Sequence, residues 1–176
     1  LKGLKVRASG RMTAKFLEAL GAEGVNVSFG EVPGALQKGT VDCAVTGAGS
    51  GYSAGWWEVS THLLPIPLGG WDSVVTAMNL DKWNSLPADV QKVMEDLIRE
   101  QSEWTGNYMD GHVKESVTWS QQNHNLELIT LDPAEKARWE ALLEPIKAKG
   151  IAEAAAAGIP AEEIMADIQK LIQQYQ

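Results

Sequence analysis

Cysteine is almost absent from this chain, since Cys43 is the only one among its 176 residues. A single cysteine excludes an intramolecular disulfide, and with only three histidines there is no Cys and His spacing typical of a zinc site. Cys43 lies in the apolar run VDCAVT, so we predict a buried, inert thiol. We expect neither a metal nor a cofactor.

Excess positive charge and long apolar runs are missing as well. The net charge is -8, and an acidic chain is a poor partner for nucleic acid or for an anionic membrane surface. No apolar stretch approaches the roughly 18 residues that indicate a membrane span. The opening LKGLKVR shows neither an initiator Met nor a signal-peptide pattern, so we expect a fragment or a processed product of a globular protein.

Strand and helix signals alternate through the first part of the chain. The alternation in LKGLKVRAS predicts a strand, RMTAKFLEALGA predicts a helix ended by Gly21, and VNVSF predicts a second strand. GEVPGALQKG predicts a short helix, and VDCAVT predicts a third strand that is buried. This order favours an α/β layer with a largely parallel sheet.

The remainder of the chain is predicted to be mainly helical. A long helix should begin at Ser85 or Pro87. If it is continuous to about Asn123 it is about 55 Å long at 1.5 Å per residue, and Gly106 and Gly111 are positions where it could kink. NLELITL predicts a strand, and Asp132 with Pro133 predicts the start of a helix that ends near residue 150. A final amphipathic helix follows. Apolar residues at helical spacing along the long helix are Val90, Val93, Met94, Leu97 and Trp104, and the same spacing can extend to Trp119.

Arg7 is the strongest candidate for a binding residue. It lies near the C-terminal end of the first strand, just before Gly10 and a helix N-terminus, where open α/β sheets bind their ligands. A guanidinium can hold a carboxylate with two parallel hydrogen bonds, and the helix N-terminus adds N–H donors. From the pattern alone, a solvent-facing arginine at a strand end stays open as the alternative.

Four segments, LKGLKVR, EVPGALQKGTVD, WWEV and NLDKWNSLPADVQKVM, carry recognisable motifs. The first resembles an "LKG-K-R" segment, and the second resembles "E-V-Y-x-A-L-Q-x-G-x-V-D-G". The third is similar to "Y-E-V", and the fourth to "N-x-x-x-W-x-x-L-P-x-D-x-Q". All four are motifs of the solute-binding proteins of TRAP (tripartite ATP-independent periplasmic) transporters, the DctP-like family. They occur here in the family's order, across essentially the whole chain.

The resemblance implies a periplasmic-binding-protein-like fold of the class II type. In that fold two α/β lobes flank a cleft, each with a largely parallel sheet and helices on both faces, and a long helix runs between the lobes. Residues 1–70 and 116–176 would belong to the second lobe. Residues 71–115, a crossover segment and the long helix, would belong to the first lobe, and the resemblance implies that the rest of that lobe would be absent from this sequence. The apolar segment SVVTAM would then be an exposed sheet edge.

The resemblance also implies a function without catalysis. The chain would be the periplasmic subunit that captures a small organic carboxylate and delivers it to the membrane subunits of a TRAP transporter. Arg7 would clamp the carboxylate, Phe29 and Trp71 would form an apolar wall, and Thr46 would add a polar contact. Val45 stands where the family often has an acidic residue, which favours a monocarboxylate with an apolar or aromatic body.

Two other interpretations stay open. Residues 51–55 fit the G-x-S-x-G pattern of a serine hydrolase with Ser53 as nucleophile, although the preceding strand is predicted to end already at Thr46. The alternating Gly47, Gly49 and Gly51 are better explained as a glycine turn than as a phosphate loop, because no Lys-Ser/Thr follows. The second alternative is a structural fragment that self-associates.

Overall fold

The computed structural model describes residues 1–66 and 76–175. They form two compact units. Unit 1 consists of Leu1–Phe29, Lys38–Val45 and Thr130–Gln176, and unit 2 of Gly30–Gln37 and Thr46–Ile129. Both units are mainly helical with short parallel sheets, which confirms the predicted α/β class.

The elements in chain order are β1 (Lys5–Ala8), α1 (Arg11–Ala19), β2 (Glu23–Asn26), α2 (Val32–Gln37), β3 (Cys43–Ala44), α3 (Ala48–Ser53), β4 (His62–Leu63), α4 (Leu80–Asn84), α5 (Ala88–His124), β5 (Glu127–Leu128), α6 (Pro133–Ala156) and α7 (Ala161–Tyr175). Within the described residues, no helix combines the length and the apolar character that crossing a bilayer requires.

The sheet of unit 1 has the order β2-β1-β3, with both pairs parallel. Helix α1 connects β1 to β2 and ends, as predicted, before Gly21, whose φ of 87° suits a residue without a Cβ. Gly24 makes a close approach, because a Cβ there would lie 3.0 Å from the Cβ of Ala14. Helix α1 can therefore lie directly on β2. The hydrophobic core of this unit contains Val6 and Ala8 of β1, Leu17 of α1, and Ala22.

The third strand is much shorter than predicted, and this corrects the prediction for Cys43. Only Cys43 and Ala44 pair with β1, at an edge of the sheet, and Cys43 is exposed rather than buried. The apolar run indicated burial on both sides, but a two-residue strand at the edge of the sheet leaves the residue exposed. Partial burial of the thiol nevertheless raises the pKa of Cys43, and the negative charge of Asp42 raises it further.

The predicted start of α6 is confirmed. The side chain of Asp132 accepts a hydrogen bond from the amide of Ala134 at 2.8 Å, and Pro133 is the first helical residue. The helix does not end near residue 150 as predicted, but passes Pro145 and continues to Ala156. Helix α7 then packs on α6, and the buried residues at these two helices include Trp139 and Ala161.

Unit 2 is dominated by α5, which has 37 residues and begins directly after Pro87, as predicted. It ends at Asn125, whose left-handed backbone (φ 52°) stops the helix. Immediately after it, β5 pairs in parallel with β4, so the predicted strand at this point is present but only two residues long.

The apolar residues at helical spacing in the N-terminal half of α5 are not covered by another element of the described residues. Val90, Val93, Met94, Leu97 and Trp104 are all exposed, with Trp104 at 59%. The contacts of α5 with α3 involve His112 and Trp119, in its C-terminal half. Helical spacing predicts which face of a helix is able to pack, whereas burial also requires a neighbouring element that covers that face.

The glycine-rich segment is a helix, which corrects the predicted turn. Residues Ala48–Ser53 form α3, and both Gly49 and Gly51 are buried. A Cβ at Gly49 would lie 2.8 Å from Cδ2 of His112 on α5. Gly49 therefore permits close packing of α3 on α5, although glycine has a low intrinsic helix propensity.

Candidate functional site

Arg7 is a buried cation at the carboxyl end of β1. Only 6% of the residue is exposed, although its neighbour Lys5 on the same strand is exposed. Arg7 lies on β1, the central strand of this sheet, with β2 on one side and β3 on the other. The alternative of a solvent-facing arginine is therefore wrong.

Two backbone carbonyl groups hold the guanidinium of Arg7 in place. Nε donates to the carbonyl oxygen of Val27 at 3.1 Å, and Nη1 donates to that of Val45 at 2.9 Å. These carbonyls follow β2 and β3, so the side chain is fixed between the ends of the two outer strands. Burial lowers the pKa of Arg7 from its ordinary value. Because the ordinary pKa of an arginine lies far above neutral pH, the guanidinium stays positively charged.

The aromatic ring of Phe29 lies beside the guanidinium of Arg7. Its ring centroid lies 6.0 Å from Cζ of Arg7, within the range of a cation–π interaction, and 42% of the residue is exposed. Phe29 opens a 3₁₀ turn, Phe29–Glu31, two residues after Val27. A rigidly held cation beside a partly exposed aromatic ring can bind an anion and an attached apolar group.

Of the other two predicted site residues, one belongs to unit 2 and one lies outside the described residues. Thr46 comes directly after Val45 in sequence but belongs to unit 2, where a Cβ added to Gly51 would lie 3.2 Å from its Cγ2. Trp71 lies outside the described residues. The pair that the structure brings together is therefore Arg7 and Phe29, and the roles of all four residues stay predictions.

The geometry needed for a serine hydrolase is not formed at Ser53. A nucleophile elbow places the serine on a sharp turn between a strand and a helix. Ser53 is instead the last residue of α3, and its Oγ donates to the carbonyl oxygen of Gly49 at 3.0 Å. Nor do the described residues contain a group of three His, Cys, Asp or Glu side chains that could hold a metal ion.

Two polar residues with clear structural roles were not predicted. Gln91 donates from Nε2 to the carbonyl oxygens of Trp83 and Leu86, at 2.9 and 3.1 Å, and so joins the end of α4 to the start of α5. Asp42 accepts the backbone N–H of Lys5 at 2.8 Å. Both residues lie in the motifs described above, but a motif alone does not indicate which backbone groups a side chain will contact.

Comparison with known proteins agrees with this architecture. Residues 1–153 match the family described as DctP, bacterial extracellular solute-binding protein, family 7. The C4-dicarboxylate-binding periplasmic protein DctP of Rhodobacter capsulatus is 27% identical over 145 residues, which cover 82% of this chain and 43% of that protein.

Solved structures give the same result. A TRAP periplasmic solute binding protein from Desulfovibrio salexigens is 36% identical, with a TM-score of 0.81, over 100% of this chain and 55% of the other. A TRAP periplasmic solute binding protein from Shewanella oneidensis, with bound succinate, is 27% identical, with a TM-score of 0.69, over 84% of this chain and 48% of the other. The chain thus spans about half the length of the relatives that it matches. Because the family match extends from β1 far into α6, the chain belongs to family 7 of the bacterial extracellular solute-binding proteins.

Proposed function

We propose that this chain belongs to the solute-binding subunit of a TRAP transporter and takes part in capturing a small organic carboxylate. The observation that carries the proposal is Arg7, a buried guanidinium fixed at the carboxyl end of a parallel sheet. Keeping an arginine buried costs desolvation free energy. A guanidinium that is already fixed in place loses little freedom when an anion binds to it.

Two relatives support a carboxylate as the ligand. The S. oneidensis protein carries bound succinate. In the crystal of the D. salexigens protein, the C-terminus of a symmetry mate is bound in the ligand-binding site. Succinate and the C-terminus of a polypeptide both present a carboxylate, which is the group that an arginine can hold with two parallel hydrogen bonds.

For the body of the ligand we propose an apolar or aromatic group. The exposed part of the Phe29 ring offers an apolar contact close to the cation. Val45, the residue whose carbonyl holds Arg7, adds no charge of its own. In this proposal Thr46 contributes a polar contact, and Trp71 an apolar one.

The steps that follow capture are part of the same proposal. The two lobes close around the carboxylate because the ligand makes more contacts in the closed state. Residues 1–70 and 116–176 belong to the second lobe and residues 71–115 to the first. The closed form is then recognised by the membrane subunits. The compartment is the periplasm, as in the name of the R. capsulatus relative.

Calorimetric titration of benzoate, succinate and propionate tests the proposal, with protein expressed from its complete reading frame. We expect at least one acid to bind the wild type, and Arg7→Ala to weaken that binding by about 100-fold, the loss typical for one partner of a buried charge pair. Arg7→Lys should recover only part of it, because lysine lacks the planar fork of donors. Arg11→Ala removes an exposed arginine nearby in sequence and controls for net charge. Unchanged binding by a folded Arg7→Ala protein would refute the proposal.

A second candidate is self-association of the chain through α5. This helix exposes Leu97, Ile98 and Trp104, of which Ile98 is 64% exposed. Apolar side chains repeated along one helix can pack against those of a second copy. Light scattering over a concentration series should show a mass that rises in the wild type and less in Leu97→Gln. Arg99→Gln changes an exposed residue that pairs with Glu103 instead, so it serves as the control. A constant monomer mass excludes this candidate.

A further inference from the structure

Asp42 makes two hydrogen bonds to Lys5, the first residue of β1. Its backbone N–H donates to the carbonyl oxygen of Lys5 at 2.8 Å, and its Oδ2 accepts the backbone N–H of Lys5 at 2.8 Å. The same residue of β1 is thus held through its donor and its acceptor. A hydrogen bond to a carboxylate is stronger than one between neutral groups, so the side chain adds substantially to this attachment.

Val45, three residues after Asp42, makes two hydrogen bonds to Arg7. The amide of Val45 donates to the backbone carbonyl oxygen of Arg7 at 3.0 Å, and the carbonyl oxygen of Val45 accepts from Nη1 of Arg7 at 2.9 Å. Between Asp42 and Val45 lie only Cys43 and Ala44, the two residues of β3. The position of the Val45 carbonyl therefore depends on how β3 is aligned along β1.

A strand of only two residues makes too few hydrogen bonds to fix its register along β1. A slip by one residue would move the Val45 carbonyl by about 3.3 Å along the strand, and no hydrogen bond at 2.9 Å survives such a shift. It would also turn the side chains of β3 to the opposite faces of the sheet. The two bonds of Asp42 to Lys5 oppose this slip because they fix the residue where the alignment begins.

We propose that Asp42 is a positioning residue for the anion-binding guanidinium. It acts through Val45, whose carbonyl it holds at Nη1 of Arg7. This inference rests on the proposed function, in which Arg7 binds the carboxylate. It assigns to Asp42 no contact with the ligand itself.

Hydrogen exchange of backbone amides tests the first half of this inference without any ligand. In Asp42→Ala the amide of Val45 should exchange at least about tenfold faster, because the β1–β3 pairing opens more often. The amide of Glu23, which donates to Leu4 in the β1–β2 pairing, should change much less. Asp42→Asn retains an acceptor oxygen and should restore most of the protection.

Asp132 provides a matched control. It is also an exposed aspartate of unit 1, and its Oδ1 also accepts a backbone N–H at 2.8 Å, that of Ala134. Asp132→Ala therefore removes the same charge and the same kind of hydrogen bond. We expect it to leave both the exchange of Val45 and carboxylate binding close to wild type.

Titration with benzoate and succinate tests the second half. Asp42→Ala should weaken binding by about tenfold, a loss similar to that of one hydrogen bond to a charged group. Asp42→Asn should recover most of this affinity. In an Arg7→Ala background, Asp42→Ala should cause no further loss, because its effect passes through Arg7.

The outcomes separate the two hypotheses. Unchanged exchange of Val45 in Asp42→Ala overturns the positioning role whatever the titrations give. Normal binding by Asp42→Ala together with lost binding by Arg7→Ala overturns the positioning role and leaves the proposed function intact. Normal binding by Arg7→Ala overturns the proposed function itself.

Discussion

Gly49 on α3 faces the imidazole ring of His112 on α5 so closely that no side chain fits between them. A Cβ at position 49 would lie 2.8 Å from Cδ2 and 3.3 Å from Nε2 of His112. The ring is also stacked on Tyr108, with centroids 5.8 Å apart, and meets Tyr52 edge-on at 6.1 Å. Moving the ring to make space would disturb both aromatic contacts.

We therefore expect Gly49→Ala to lower the free energy of unfolding by about 1–3 kcal/mol, the usual effect of overpacking. Chemical denaturation measures it. Gly106→Ala is the matched control, since that glycine lies within α5 with no atom near its missing Cβ. Alanine there should stabilise the protein by up to about 1 kcal/mol. Equal stabilisation by both variants would contradict the packing assigned to Gly49.

The link between α4 and α5 yields a second prediction. Gln91→Ala removes the two hydrogen bonds to the carbonyl oxygens of Trp83 and Leu86. We expect amides of residues 83–86 to exchange faster and the free energy of unfolding to fall by about 1–2 kcal/mol. Lys92→Ala, which breaks only an exposed ion pair with Asp96, controls for truncation at the next position and should change stability by less than about 0.5 kcal/mol.

Helix α6 contains a carboxylate whose titration should affect stability in acid. Arg138 and Trp139 donate to Glu135, with Nη2 and Nε1 at 2.5 and 2.8 Å from Oε1. The hydrogen bond from Arg138, followed by that from Trp139, lowers the pKa of Glu135 to about 2. The unfolded chain binds this proton near pH 4.3, its ordinary value. The stabilising contribution is therefore complete above about pH 4.3 and is lost as the pH falls towards 2.

Glu135→Gln should consequently flatten the decline of stability between about pH 4.5 and 2. Thermal melts at a series of pH values measure this slope. Glu140→Gln removes one negative charge from the same helix, where the carboxylate pairs with Lys136 at 3.9 Å, and controls for net charge. If both variants altered the slope to the same degree, the effect would belong to net charge and not to the contacts of Glu135.

Features set by local chemistry were predictable from the sequence. Asp132 and Pro133 form a cap and a first helical turn within three residues, and their roles were predicted correctly. The position of Arg7 at the end of β1 also follows from local alternation. These predictions succeeded because the interactions that decide them lie within a few residues of each other.

Features set by distant partners were not predictable. Gly49 in isolation indicates a turn, and its close approach to the ring of His112, more than sixty positions away, is not visible in the local sequence. Cys43 was predicted to be buried because its run is apolar, yet the strand ends after two residues. In the same way, β2 begins two residues before the predicted segment VNVSF and ends at the second residue of that segment. Strand length depends on which residues find partners across the sheet, and composition does not reveal them.

The final prediction concerns the contact between Arg7 and Phe29, which allows two roles for the ring. Either Phe29 supports the cation, or it contacts the body of the ligand; its ring lies 6.0 Å from Cζ of Arg7 and is still partly exposed. Phe29→Leu keeps an apolar side chain but removes the aromatic face. If the ring acts only through the cation, affinities for benzoate and propionate should fall by the same factor.

We expect unequal losses, because the proposed ligand has an apolar or aromatic body. Benzoate should bind Phe29→Leu about tenfold more weakly, since an aromatic pair contributes about 0.5–1.5 kcal/mol beyond its buried area. Propionate, which has no ring, should lose less than about twofold, because Arg7 still holds its carboxylate. Calorimetric titration of both acids into both proteins gives the ratio directly. Equal losses would make Phe29 a support for Arg7, and no loss with either acid would remove it from the binding site.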